Sequence, residues 1–358
     1  MSFRDYLYGL ATDRISGPVN CAVKIFLHFL SFIYGLIIAA LIFLRRLKKK
    51  HLACRVISVG NITLGGTGKT VMVELIAGYL KGHGHKVAVL SRGYKRPRPA
   101  GADSLPSYQT MGDEPFMISQ KLGNVPVLVD PDRARSAENA VIRYAADTVI
   151  LDDGLQQWGI KKDLEIVMLD AARPFGNRHL IPRGTLRQPV RSLNTADVFV
   201  ITDPQAADTG ALKEMLHKIS PRALILDAEH SALGIYRLSR RQEVFAPGFL
   251  NGKSAVLFCG IGNPGSFRVL SAGCGIKESA FFGFADHYRY EEDDIERIVH
   301  ETASKGADVV LTTEKDAVRI PLAARKRFGE NIFILSAGLK IKNEEKRFFD
   351  RLLQLYSA

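Results

Sequence analysis

At 358 residues, with 46% hydrophobic and 24% charged side chains, the chain has the composition of a globular protein and is long enough for two domains, each with its own core. Its four cysteines (Cys21, Cys54, Cys259, Cys274) are scattered and its nine histidines dispersed, which argues against a zinc site or a disulfide framework and fits a reducing compartment. The formal net charge of +12 points to a polyanionic partner: nucleic acid, acidic lipid or phosphates.

The first pronounced element is Ile25–Leu44, twenty residues in which His28 and Tyr34 are the only ionisable side chains. As a helix it would be about 30 Å long, one hydrocarbon core. Arg45, Arg46, Lys48, Lys49, Lys50 and Arg55 follow at once, which marks a cytoplasmic flank and attracts anionic headgroups. The run is too long for a cleaved signal peptide and lacks a small-residue cleavage site. Spanning and interfacial placements both remain open, and a buried core helix competes with them.

An apolar run, Cys54–Val59, predicts a buried strand, and Val71–Leu80 predicts a helix. Between them lies Ser58-Val-Gly-Asn-Ile-Thr-Leu-Gly-Gly-Thr-Gly-Lys-Thr70, a phosphate-binding loop. Thr63 stands where the general pattern has its first glycine. Gly65, Gly66 and Gly68, with Thr67 between them, let backbone N–H groups close round phosphate oxygens, and the helix N-terminus adds partial positive charge. Lys69 would reach the β- and γ-phosphates, and the Thr70 hydroxyl would ligate Mg²⁺.

Further strands are predicted at Lys86–Leu90, Val125–Val129, Thr148–Leu151, Leu164–Leu169 and Asp197–Ile201, with helical stretches such as Ala134–Ala146 between several of them. That alternation predicts a mostly parallel sheet covered on both faces. Arg222–Leu226 and Leu233–Leu238 read as two extended segments crossing to a second unit, with strands near Ser254–Phe258, Val309–Thr312 and Ile332–Leu335 and a closing helix over Asn343–Tyr356. The expected fold class is therefore α/β: a phosphate-loop core, an N-terminal membrane helix and a second, smaller α/β domain. The expected divisions are residues 1–50, 51–228 and 229–358.

Five loops carry candidate chemistry. Ser91-Arg-Gly-Tyr-Lys-Arg96 offers Arg92, Lys95 and Arg96 with the aromatic Tyr94 at the ligand edge of the sheet. Gly112-Asp-Glu-Pro115 serves equally as a helix N-terminus and as the seat of a general base, Asp113. Asp152 and Asp153 end a strand downstream of the phosphate loop, where carboxylates give Mg²⁺ its second support; if both lay in the strand they would face opposite ways. Arg187, in the basic loop Leu180–Pro189, is either a bidentate phosphate ligand or an exposed structural arginine. Asp286 and His287, between aromatics, form either a proton-handling pair or a structural one.

Taken in order, the stretches SVGNITLGGTGKT, SRGYKR, GDEP, LDDGLQ, IPRGTLRQP, GIGNP, FADHY and LTTEKDAV, from Ser58 to Val318, resemble the tetraacyldisaccharide 4′-kinase family of the lipid A pathway. The Thr63 departure is usual in that family. The resemblance implies transfer of the ATP γ-phosphate, with Mg²⁺, to the 4′-hydroxyl of a lipid A disaccharide 1-phosphate. It places the reaction at the cytoplasmic face of the inner membrane of a Gram-negative-type cell, with membrane lipid as the other partner. By the same resemblance Asp113 is the base, His287 supports it from the other domain, and Asp286 orients the imidazole. Arg187 holds the transferring phosphate, Asp152 and Asp153 form the metal region, and Tyr94 with its basic neighbours belongs to the lipid-sugar pocket. The family pattern DDGxQH departs here, because Gln157 replaces the His; an amide can hydrogen-bond and orient but cannot take a proton. Thr185 replaces a usual proline.

Three other readings compete. A membrane-tethered nucleotide switch would need an Asn-Lys-x-Asp segment, whereas Thr313-Glu-Lys-Asp316 has its Lys and Asp adjacent. A nucleic-acid-dependent ATPase would need interleaved basic and aromatic residues, which the chain lacks, so no nucleic-acid partner is expected. A catalytically impaired family member is suggested by Gln157 alone. The sequence carries no signal for oligomeric state.

Overall fold

The computed structural model describes residues 3–15, 17–93 and 108–357. The predicted contributions of Tyr94, Lys95 and Arg96 lie outside the described residues. The strands are β1 (Arg55–Asn61), β2 (Val87–Ser91), β3 (Val127–Val129), β4 (Thr148–Asp152), β5 (Leu164–Asp170), β6 (Val198–Thr202), β7 (Leu224–Arg237), β8 (Arg240–Phe245), β9 (Ser254–Cys259), β10 (Lys277–Gly283), β11 (Val309–Thr313) and β12 (Ile332–Ile341). The helices are α1 (Phe3–Ala11), α2 (Pro18–Leu47), α3 (Lys69–Gly82), α4 (Tyr108–Met111), α5 (Asp113–Leu122), α6 (Arg133–Tyr144), α7 (Gly210–Ile219), α8 (Pro264–Gly273), α9 (Glu292–Ser304), α10 (Glu314–Ala317), α11 (Leu322–Arg325) and α12 (Glu345–Leu353).

All twelve strands join one sheet, in the order β10-β9-β11-β12-β7-β6-β5-β1-β4-β2-β3, with β8 hanging on β7. The central strands are continuous apolar runs because helices cover both of their faces. On one face Ile57, Val59, Ile150 and Ile166 pack against Met72 and Ile76 of α3 and Phe348 of α12. On the other, Val167, Leu169, Phe199 and Ile201 pack against Leu212 and Leu216 of α7. Full burial of such side chains stabilises by about 1.5–3 kcal/mol each.

The two extended segments expected near residues 222–238 are a single long strand, β7. It pairs parallel with β6 up to Ala228, and antiparallel with β12 from Ala228 to Arg237. The antiparallel step reverses everything beyond it: β12, β11, β9 and β10 are mutually parallel but run against β1–β6. Thr202, at the end of β6, lies level with Ala228; Thr313, at the end of β11, pairs with Leu335, which lies level with Ile235. The carboxyl edges of the two halves therefore face each other across seven residues of β7, about 23 Å of strand. Loops from both edges fill that interval. Ligand sites form at the carboxyl ends of parallel strands, so this topology makes one site from two edges.

Helix α2 contains the apolar run predicted at Ile25–Leu44 and extends it at both ends. It buries Leu27, Ser31, Ile38 and Ile42, one stripe at helical spacing, and exposes Phe26, Phe29, Phe32, Leu36, Ile37 and Phe43. The buried stripe docks on the loop before β6: Ser31 Oγ donates to Leu180 O at 2.7 Å, Tyr34 Oη to Arg187 O at 2.7 Å, and Arg46 Nη2 to Ser192 O at 3.2 Å. At Gly35 a β-carbon would stand 2.9 Å from Leu180 Cδ1, so the helix packs closely against that leucine.

Candidate active site

The phosphate loop forms because β1 ends at Asn61 and α3 begins at Lys69, with Gly68 in the left-handed region (φ +79°) as its N-cap. A β-carbon at Gly68 would meet His230 Nε2 at 3.3 Å. Lys69 Nζ donates to Asn61 Oδ1 at 3.1 Å and stands 3.7 Å from Asp153 Oδ1. Gly65 and Gly66 have open space where side chains would be. Thr70 lies half-buried in the first turn of α3, and Thr67 is buried with its hydroxyl unpartnered. The Leu180–Pro189 loop braces the near side of the phosphate loop: Thr63 bridges Leu186, Leu64 N donates to Thr185 O at 2.8 Å, and Arg187 N donates to Ile62 O at 2.8 Å.

Asp152 is the last residue of β4, and Asp153 turns into the left-handed region (φ 54°), so the two carboxylates part at the end of the strand rather than alternating within it. Asp152 is buried and accepts from Ser91 Oγ at 3.0 Å. Burial first, then the charges of Glu114 and Asp153, push its carboxyl up to about 6. Burial would raise Asp153 too, but Lys69 and Arg187 hold it below the usual carboxylate range. Arg187 Nη1 donates to both Asp153 oxygens, at 2.9 and 2.8 Å, and to Gln156 Oε1 at 3.1 Å. Among the described residues no group of three or more His, Cys, Asp or Glu could hold a metal alone. Mg²⁺ needs only one or two carboxylates when phosphate oxygens and water complete its shell. The hard oxygens of Thr70, Asp152 and Asp153 fit that ion, and Asp152, crowded by like charges, is where a divalent cation would relieve most strain.

From the opposite edge come the loop after β9 and the loop after β10. A β-carbon at Gly262 would stand 3.5 Å from Gly66 N and 3.6 Å from Asp286 Oδ2, so the second half comes close to the phosphate loop itself. Asp113 opens α5 behind Gly112 and meets His287 across the cleft, Nδ1 to Oδ2 at 2.8 Å. Burial would raise the Asp113 carboxyl, but the His287 hydrogen bond and the Arg319 charge hold it well below its usual range. Because a carboxylate only accepts, His287 Nδ1 carries the proton of this bond. Asp286 lies 3.8 Å from His287 Nε2, an ion-pair separation, and 3.4 Å from Lys315 Nζ. Lys315 also reaches Glu114 at 2.9 Å.

Several participants were not foreseen. Arg319 and Lys315 emerge from the turn after β11, directly after or inside the TTEKDAV stretch, and their position behind an apolar strand was the available signal. Gln156 rather than Gln157 meets Arg187, and its amide donates to Asn61 O at 3.2 Å. Gln157 instead lines a groove of about 580 Å³ between the end of α2 and the start of α6, with Leu41, Arg45, Lys48, Arg133 and Trp158. Arg92 is exposed just beyond β2.

The tetraacyldisaccharide-1-P 4′-kinase family model matches residues 23–357. Among curated proteins, the tetraacyldisaccharide 4′-kinase of Halothermothrix orenii is 35% identical over 362 residues, covering 91% of this chain and 92% of its own. That of Syntrophus aciditrophicus is 37% identical over 324 residues, 85% of each chain. Among solved structures, the apo-form LpxK from Aquifex aeolicus in complex with ATP superposes with a TM-score of 0.71 at 28% identity, covering 93% of this chain and 99% of that one.

Proposed function

This chain belongs to the tetraacyldisaccharide-1-P 4′-kinase family and is an ATP-dependent 4′-kinase of the lipid A precursor, and on that premise we propose how its own residues carry the reaction. The observation that supports the assignment most directly is the Asp113–His287 contact, 2.8 Å across the cleft, beside a phosphate loop that the second half also approaches. Asp113 is the general base: its carboxylate takes the proton of the acceptor 4′-hydroxyl as that oxygen attacks the γ-phosphorus and the bond to the departing ADP oxygen breaks. His287 keeps Asp113 ionised and oriented. Lys69 and the backbone N–H groups of Gly65–Lys69 hold the β- and γ-phosphates, and Arg187 neutralises charge that develops on the transferring group. Thr70 and the Asp152–Asp153 pair would hold Mg²⁺, which when bound would supply positive charge against the phosphates.

The groove at the end of α2 fits the acceptor. Arg45 and Lys48 offer cations to a phosphorylated sugar, with the buried Arg133 behind them, while Leu41 and Trp158 offer apolar and stacking surface. One face of α2 is fixed to the polar loop carrying Arg183 and Arg187, and the other is a row of exposed apolar side chains. We read α2 as an interfacial anchor at the cytoplasmic face, where ATP is available and the Arg45–Lys50 cluster meets anionic headgroups.

The test is ATP-dependent phosphorylation of a disaccharide 1-phosphate in mixed micelles, comparing wild type with Asp113→Asn. Bisphosphorylated product from wild type and a loss of about 10²–10⁴-fold in kcat for the variant are expected. An Asp113→Asn enzyme that keeps its rate would remove Asp113 from the role of base.

A further inference from the structure

Arg319 is nearly buried, in the turn behind β11, and spends its whole guanidinium on the cleft. Its Nη1 donates to Gly260 O at 2.9 Å and lies 3.3 Å from Asp316 Oδ1, which fixes the head to the second half of the molecule. Asp316 is itself held on several sides: fully buried, it accepts from Gly260 N at 2.9 Å, Tyr290 Oη at 2.9 Å and Thr313 Oγ1 at 2.6 Å. The other side of the guanidinium crosses to α5 in the first half. Nε donates to Asp113 Oδ2 at 2.8 Å and Nη2 donates to the same oxygen.

Asp113 Oδ2 thus receives three donors, two from Arg319 and one from His287 Nδ1. Its other oxygen, Oδ1, receives the Glu114 backbone N–H at 3.2 Å. A carboxylate oxygen loaded with three charge-assisted or neutral donors has no lone pair left for an incoming proton. The two oxygens are made unequal because both arms of the fork and the imidazole converge on one of them.

Building on the reading of Asp113 as the base, we infer that Arg319 is its positioning residue: anchored through Asp316 and Gly260, it pins Asp113 Oδ2 and leaves Oδ1 to take the acceptor proton. Arg319 does not touch the acceptor. It acts through Asp113, and because it reaches from one half of the sheet to the other, the base is aligned only when the two edges are in register. Among the described residues, the charged and titratable groups facing Asp113 are Arg319 and Lys315 from the turn after β11, His287 with Asp286 behind it from the loop after β10, and Glu114 on its own helix.

The experiment is the pH dependence of kcat/KM for wild type, Arg319→Met, Arg319→Lys and Asp113→Asn, with kcat and the KM for ATP measured separately. Removing the guanidinium takes away a cation that keeps Asp113 ionised, so the acidic limb of the Arg319→Met profile moves to higher pH. Its kcat falls by about 100-fold, the cost expected of a misaligned reacting group, while the KM for ATP stays within about twofold of wild type. Added methylguanidinium restores part of the rate. A fall in kcat with the acidic limb unmoved would make Arg319 merely structural and overturn the inference, as would an unchanged kcat. Should Arg319→Met not fold, Arg319→Lys decides: one ammonium cannot reproduce the fork, so a smaller shift in the same direction supports the role and a wild-type profile overturns it. Asp113→Asn separates the two levels. If it stays active, the base assignment fails; if it is inactive while both Arg319 variants behave as wild type, only the inference about Arg319 fails.

Discussion

Arg187 and Asp153 form a closed pair: one guanidinium nitrogen donates to both carboxylate oxygens, at 2.9 and 2.8 Å. The cation expected to grip phosphate and the acid expected near the metal neutralise each other, with Lys69 3.7 Å from the same carboxylate. The Arg187 backbone is tied in turn to α2, through Tyr34 Oη on its carbonyl. The pair holds the Arg187 guanidinium in place against the phosphate loop and couples it to the apolar helix α2.

Arg187→Met should therefore reduce kcat by about 10²–10³-fold, the cost of losing one preorganised donor to developing charge. Tyr34→Phe should remove only one hydrogen bond, worth about 1 kcal/mol, and show up as a small fall in melting temperature. Steady-state kinetics and thermal unfolding read the two separately. An Arg187→Met enzyme with an intact kcat would mean that the arginine serves only to neutralise Asp153.

Asp152 yields a pH prediction. Its folded pKa is raised from 3.8 to about 6, first by burial and then by Glu114 and Asp153. A raised acid is favourable to the fold while protonated, so its contribution is complete below about pH 3.8 and is lost as pH climbs through about 6. Asp152→Asn keeps the acceptor for Ser91 and removes the ionisation. The variant should be more stable than wild type at pH 7.5, by on the order of 2 kcal/mol, yet gain less from added Mg²⁺ and ATP. Unfolding curves from pH 4 to 8 check this; parallel pH dependences for the two proteins would contradict it.

Gln157 lines the groove beside Trp158 and Arg133, while its neighbour Gln156 meets Arg187. Gln157→His should change the KM for the lipid acceptor by several-fold and leave the KM for ATP and the Mg²⁺ requirement as they are. Kinetics with each substrate varied in turn would show it. A change confined to the Mg²⁺ dependence would place Gln157 at the metal instead.

The exposed face of α2 should carry membrane binding. Phe26 and Phe29 are each 60% exposed, and burying an aromatic of that size is worth about 1.5–3 kcal/mol. Phe26→Ser with Phe29→Ser should weaken sedimentation with anionic vesicles by at least about tenfold, while activity on detergent-dispersed acceptor persists. Unchanged sedimentation would assign membrane binding to the basic cluster alone.

What the sequence by itself determined is local. The run into Gly-Gly-Thr-Gly-Lys-Thr could only be a strand, a turn and a helix, because only glycine accepts the backbone at Gly68 (φ +79°) without strain. The apolar strands were legible because burial on both faces demands unbroken hydrophobic runs, and α2 because no ordinary soluble surface exposes so many aromatics in one stripe. Asp113, Asp152, Asp153, Arg187 and His287 were readable as candidates by residue type at strand and helix ends. Their partners were not. Sequence spacing says nothing about which carboxylate a guanidinium 206 residues away will meet, and Arg319 and Asp113 are that far apart. The tertiary structure decided it through one step, the antiparallel register of β7 and β12, which turns the carboxyl edges of two parallel sheets toward each other. Hydrogen bonding between strands fixes direction as well as contact, and that direction is what places a base from one half beside a histidine and an arginine from the other.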